Sequence, residues 1–206
     1  MRRRTTLVLT EHADYLTPER RERYETVRAR LEEAADSPVD VVHYLDADGL
    51  ADSETLVLSG SSAPWAAHDP AALARLGEVV SASARPVLGI CAGMQLMAEW
   101  GGGTVRPMAE RGANPERGFL AVEVVEREGL LAGLPGRATV FQDHRDEVTE
   151  LPPEFRVLAR SEAASVQAVA SRTRPWWGTQ FHPEWWDDEH RDGDRVLRNF
   201  FALARL

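Results

Sequence analysis

Short apolar runs alternate along this chain with longer stretches whose apolar residues recur at helical spacing. The short runs lie at 5–10, 39–45, 54–59 and 86–90 and read as strands. Thr17 followed by Pro18 predicts a capped helix start, and Tyr24, Val27 and Leu31 then repeat at helical spacing to an end near Asp36. Asp69-Pro70 opens a second helix through about Ala84. A third begins at Ala92 and stops at Gly101-Gly102-Gly103. Beyond it the pattern changes to shorter strands at 119–126, 137–142, 155–161, 166–171 and 176–181, with a closing helix at 190–205. The reading is an α/β fold: a mostly parallel central sheet flanked by helices, with an antiparallel extension. Ligands of such sheets bind at the carboxyl ends of the strands, and Gly60 and Cys91 both fall at such ends. No repeat or low-complexity linker interrupts the chain, so residues 1–206 are read as one domain.

Candidate chemistry concentrates around the only cysteine of the chain. The run Val87-Leu88-Gly89-Ile90 enters Cys91, and Ala92-Gly93-Met94-Gln95-Leu96-Met97-Ala98 leaves it in helix-forming composition. Strand, nucleophile and helix with flanking glycines form a nucleophile elbow, here G-x-C-x-G. The turn aims the sulfur at a helix N-terminus, whose exposed N–H groups favour a thiolate. A buried, inert thiol is the commoner fate of a lone cysteine, but it needs neither glycine.

A cysteine nucleophile requires a base, and the base a third group that fixes its orientation. In Gly178-Thr179-Gln180-Phe181-His182-Pro183-Glu184, His182 and Glu184 suit those roles, and in extended chain both would lie on one face. His-x-Glu alone is weak, and gains weight only in combination with the elbow. Gln95, one helical turn beyond Cys91, can face the same pocket.

Together, Gly-Ile-Cys-Ala-Gly-Met-Gln and Gln-Phe-His-Pro-Glu resemble the class I, triad-type glutamine amidotransferases, which have a flavodoxin-like sheet. The likeness covers nearly the whole chain, and it runs in particular to the glutaminase part of GMP synthase. Shared with that part are the GMQLMA helix, the following Gly-Gly, the His-x-Asp-x-Val segment and the Leu-Arg-Asn-Phe ending at 197–200. The resemblance implies Cys91, His182 and Glu184 as catalytic residues and L-glutamine as substrate. It implies the backbone N–H groups of Gly60 and Ala92 as the oxyanion hole, and Gln95, Asp143 and His144 as residues that touch the glutamine. Ammonia would pass to a separate ATP-dependent synthetase or other ammonia-accepting enzyme. Three departures stand out: Ser61-Ser62 where a second glycine is usual, Ala92 for a larger residue, and Asp143 where a serine is usual. They leave room for a stand-alone γ-glutamyl hydrolase or peptidase, or for a non-catalytic regulatory or binding subunit.

Composition narrows the partners. The chain has 206 residues, is 43% hydrophobic and carries a net charge of −9, which argues against a nucleic-acid surface. It contains no lysine, so all 24 basic residues are arginine, and neither a Walker A lysine nor a lysine Schiff base is available. No metal or cofactor is expected, and activation of an acceptor must occur elsewhere. The basic start, Met1-Arg2-Arg3-Arg4, leads into too short an apolar run for a signal peptide, no run reaches membrane-span length, and one cysteine excludes an internal disulfide, so the expected location is cytoplasmic. Four of the six tryptophans (Trp176, Trp177, Trp185, Trp186) surround the base motif, either as packing or as an exposed aromatic platform for a partner. The arginines of residues 19–30 and the acidic run Asp187-Asp188-Glu189 read as solvated faces.

Overall fold

A computed structural model describes residues 4–82 and 84–205. Residues 1–3, which carry most of the basic start used in the signal-peptide argument, lie outside the described residues. Nine strands form one sheet. Five of them are mutually parallel and adjacent: β1 (Thr5–Leu9), β2 (Val39–His43), β3 (Thr55–Leu58), β4 (Val87–Ile90) and β11 (Trp176–Thr179), in the order β2-β1-β3-β4-β11. The sheet continues antiparallel through β10 (Ala168–Ser171), β9 (Phe155–Arg160), β6 (Glu116–Val124) and β7 (Arg137–His144).

β1, β3 and β4 alternate their apolar side chains between two cores, as expected for strands covered on both faces, whereas β2, at the sheet edge, buries only Val39 and leaves Asp40 and Val41 exposed. On one face Leu7, Val57 and Leu88 pack with Val27 and Leu31 of α1 (Pro18–Ala35) and with Val196, Leu197 and Phe200 of α4 (Asp192–Leu203). On the other, Val8, Leu56 and Leu58 pack with Leu76 and Val80 of α2 (Pro70–Ser81) and with Met94 and Met97 of α3 (Ala92–Trp100). The capping signals act as read. Thr17 accepts from the Arg20 N–H at 3.4 Å ahead of Pro18, and Asp69 Oδ1 accepts from the Ala71 and Ala72 N–H groups at 2.8 and 3.2 Å.

Several boundaries differ from the sequence expectation. The run 39–45 leaves the sheet after His43 and turns into a 3-10 stretch, Tyr44–Leu50, kinked at Asp46. α2 ends at Ser81 and α4 spans Asp192–Leu203, each shorter than its apolar pattern. A second, two-stranded sheet pairs β5 (Thr104–Pro107) with β8 (Asp146–Glu150). No described helix is long and apolar enough to cross a membrane.

Candidate active site

The carboxyl ends of β1, β3, β4 and β11 are neighbours, so Glu11, Gly60, Cys91 and His182 converge on one cavity of about 450 Å³. Cys91 follows β4 directly, its N–H donating to the Thr179 carbonyl at 2.7 Å. Its backbone sits at φ 51°, ψ −106°, a strained conformation for a residue with a Cβ. The sharp turn depends on close backbone packing. The Gly93 N–H donates to the Ser59 carbonyl at 3.1 Å, and a Cβ at Gly93 would lie 2.5 Å from the Leu58 carbonyl oxygen. Cys91 is the N-cap of α3, so the N–H of Ala92 has no carbonyl one turn back within the helix, and it meets no acceptor among the described residues.

His182 is held in place from two sides. Its N–H donates to the Phe141 carbonyl of β7 at 2.8 Å, and its Nδ1 lies 2.7 Å from Glu184 Oε1. β11 ends at Thr179, so the pair does not ride an extended strand as the spacing implied. Instead residues 182–185 form a turn closed by the Trp185 N–H on the His182 carbonyl at 3.2 Å, and the turn brings the carboxylate back to the ring. Burial opposes charge on the His182 imidazole, but the negative charges of Glu184 and Cys91 outweigh it and hold its pKa well above the ordinary value. An imidazolium is therefore favoured beside the sulfur.

Gly60 lies directly against this pair, since a Cβ there would come 2.8 Å from His182 Cε1 and 3.4 Å from Cys91 Cβ. Its carbonyl accepts from the Tyr24 hydroxyl at 2.9 Å, and the Gly60 N–H has no partner among the described residues. Burial pushes the Tyr24 phenol pKa up, keeping it a donor.

Gln95 is buried and its Nε2 donates both to the Asp146 carbonyl and to Gln180 Oε1, each at 3.0 Å. That pairing fixes the orientation of the Gln180 amide, whose Nε2 donates toward Cys91 Sγ at 3.6 Å. Gln180 was inside the base motif, yet no role followed from the sequence, because its partner lies 85 residues away. Asp143 lines the cavity with a half-exposed carboxylate, its Oδ1 3.9 Å from Arg117 Nε. The His144 ring is buried and both nitrogens face acceptors, the Asp146 carbonyl and Glu116 Oε2, each at 3.1 Å. What His144 offers the cavity is therefore its backbone rather than its ring.

The tryptophans and the arginines of α1 meet one another. Arg30 stacks over Trp186 at 4.1 Å and Trp185 at 5.3 Å, and donates to the Glu184 and Trp186 carbonyls at 2.8 and 3.2 Å. Arg23 covers Trp185 at 5.1 Å. This side of α1 is thus not the solvated face the sequence implied, and it braces the backbone that carries Glu184. Trp176 is buried and Trp177 packs edge-on against Phe200. Among the described residues, no group of three or more His, Cys, Asp or Glu side chains is arranged to hold a metal ion.

Comparison with known proteins places this arrangement in a family. The Glutamine amidotransferase class-I model matches residues 27–204. A glutamine-hydrolyzing GMP synthase subunit of Pyrococcus abyssi is 44% identical over 119 residues, which are 58% of this chain and 60% of that protein. The corresponding subunit of Thermoplasma acidophilum is 35% identical over 161 residues, 78% of this chain and 76% of that protein. Several relatives are thus matched over only about 60% of their own length. A crystal structure described as that of a GMP synthase subunit from Thermoplasma acidophilum superposes with a TM-score of 0.80 at 29% identity, covering 98% of this chain and 94% of that one. With a matching family model over most of its length, and with the elbow and the His-x-Glu turn facing one cavity, the chain belongs to the class I glutamine amidotransferase family.

Proposed function

We propose that this protein is a glutaminase that hydrolyses the side-chain amide of L-glutamine and delivers the ammonia to a separate synthetase. The observation that carries the reading is the convergence of Cys91, the Glu184-bound imidazole of His182 and the unpartnered N–H groups of Gly60 and Ala92 on one cavity. In this scheme Cys91 Sγ attacks the amide carbon, and the negative charge that develops on its oxygen is met by the two N–H groups. His182 protonates the departing nitrogen, the C–N bond breaks, and a γ-glutamyl thioester remains. Water then adds to the thioester with His182 taking its proton, the C–S bond breaks, and glutamate leaves with Cys91 restored. Glu184 orients His182 and stabilises the imidazolium each time it carries the proton. Gln95, Asp143 and the backbone at His144 contact the amino-acid end of the substrate.

The names of the relatives, glutamine-hydrolyzing subunits of GMP synthase, support a purine-nucleotide acceptor held by a partner protein, and in this reading the partner activates that acceptor with ATP. The absence of lysine from this chain supports the division of labour, since it leaves no P-loop lysine for nucleotide binding. A second reading, a γ-glutamyl hydrolase acting on larger conjugates, is favoured only by the size of the cavity, about 450 Å³.

Treatment with the glutamine mimic 6-diazo-5-oxo-norleucine followed by intact mass tests the proposal. One adduct is expected on the wild-type chain, blocked by excess glutamine and absent from Cys91→Ala. A folded protein that stays unmodified while a small alkylating agent still reaches Cys91 would overturn it. Protection by γ-glutamyl conjugates but not by glutamine would select the second reading.

A further inference from the structure

Glu11, just beyond the carboxyl end of β1, is a buried carboxylate with an unusual number of donors. It accepts from Ser61 Oγ at 2.8 Å, from the Ser62 N–H and Oγ at 3.0 and 2.6 Å, and from the Ala63 N–H at 3.0 Å. Arg20 Nη1 lies 2.9 Å away and the His12 N–H 3.2 Å. The backbone behind it is pinned as well. The Thr10 and Glu11 carbonyls pair with His68 Nε2 and His43 Nε2, each at 2.9 Å. A carboxylate has about four lone-pair sites, so this one has no capacity left for a substrate's ammonium group. Burial pushes the Glu11 pKa up, but the donors from Ser62, Ser61 and Ala63 outweigh it and hold it below the ordinary value.

The loop after β3 then has a nearly complete hydrogen-bond inventory. The N–H groups of Ser62 and Ala63 point to Glu11, the Gly60 carbonyl receives the Tyr24 and Ser59 hydroxyls, each at 2.9 Å, and the Ser62 carbonyl receives Arg145. Among the described residues the loop's unpartnered N–H groups are those of Gly60 and Ser61. A trans peptide fixes each N–H opposite the C=O of the preceding residue. The Ser59 carbonyl, which receives the Gly93 N–H at 3.1 Å and the Thr10 hydroxyl at 2.7 Å, therefore sets the aim of the Gly60 N–H, while the Gly60 carbonyl, held by Tyr24, sets that of the Ser61 N–H. Glu11 fixes the two peptides that follow and so limits how far this pair can rotate.

We infer that Glu11 is a positioning residue of this site, a clamp on residues 61–63 that keeps the adjoining Gly60 and its N–H in place beside Cys91, and that Ser61-Ser62 replace glycine because their hydroxyls complete the clamp. This inference rests on the glutaminase reading, and Glu11 acts only through the loop.

The test compares two reagents on wild type, Glu11→Gln, Ser62→Ala and Cys91→Ala. The diazo-oxo-norleucine reaction places a carbonyl oxygen in the hole, whereas iodoacetamide displaces halide at a saturated carbon and needs no hole. Losing one oxyanion donor outright costs about 100-fold or more, so a loosened loop in Glu11→Gln should slow diazo-oxo-norleucine labelling at saturation by about 10- to 100-fold. Its half-saturating concentration and its iodoacetamide rate should stay near wild type, and the Ser62 and Ala63 amides should exchange with deuterium faster. Ser62→Ala should show the same pattern more weakly, and it decides the matter if Glu11→Gln does not fold. Wild-type saturation rates with unchanged amide exchange would overturn the inference, as would an equal loss with both reagents or a change confined to half-saturation. A wild-type chain that resists diazo-oxo-norleucine altogether overturns the glutaminase reading instead, while amide exchange still reports whether Glu11 holds the loop.

Discussion

Replacing Glu184 by Gln isolates the charge that orients His182. The amide keeps an oxygen able to accept from Nδ1 at the present 2.7 Å and nearly the same volume, in a side chain that is 5% exposed. A hydrogen bond to a charged partner contributes about 1.5–3 kcal/mol against about 0.5–1.5 for a neutral one, a difference of about one pKa unit. Direct Coulomb attraction sets the upper side, about 4 kcal/mol for unit charges about 4 Å apart at an effective dielectric of about 20, or about three units. The His182 midpoint, read from its ring proton by NMR, should therefore fall by about one to three units in Glu184→Gln. Linkage gives a second readout. The folded pKa of His182 is raised well above its ordinary value, so the stability it contributes is fully present below about pH 6.5 and is lost as pH rises through the folded value. The stability deficit of Glu184→Gln in urea should accordingly be largest in mild acid and shrink in alkali. A midpoint that does not move, or a deficit that grows with pH, would refute the account of how this imidazole is charged.

Other substitutions test the packing around the site. Gly60→Ala puts a methyl 2.8 Å from His182 Cε1, so the ring must move; glutaminase rate should fall by at least about tenfold with the fold retained by circular dichroism. Gly93→Ala meets the backbone oxygen of Leu58 at 2.5 Å, which cannot yield as a side chain would, and urea unfolding should show a loss of about 1–3 kcal/mol. Arg30→Lys loses both the fork to the Glu184 and Trp186 carbonyls and the stacking on two indoles, for an expected loss of about 1–2 kcal/mol and a lower rate from a looser Glu184.

What could be read from the chain was what is local in it. The elbow is local, since strand, Gly89, Cys91, Gly93 and helix lie within a dozen residues, and the strained turn follows from their order. The central parallel strands β1, β3 and β4 were equally legible, because strands buried on both faces are largely apolar runs. The second sheet was not. β5 is partly exposed and carries Arg106 and Pro107, and β8 is separated from β7 only by Arg145, so nothing local marks the change of sheet. The parts of the site that were missed share one cause. Glu11, Gln180 and Arg30 acquire their meaning from partners 50, 85 and 154 positions away, and their own neighbourhoods read as a polar loop, a motif residue and a solvated helix face. The turn at 182–185 also escaped, because Pro183 reads as readily in extended chain as in a bend.

The central claim is that Cys91 carries the γ-glutamyl group during turnover. Acid-quenching the chain during reaction with L-glutamine and measuring intact mass tests it most directly. The account predicts one glutamyl group per chain, mapped to the peptide containing Cys91 and absent from Cys91→Ala. Ammonia release that continues in Cys91→Ala at the wild-type rate, with no adduct on either protein, would contradict it.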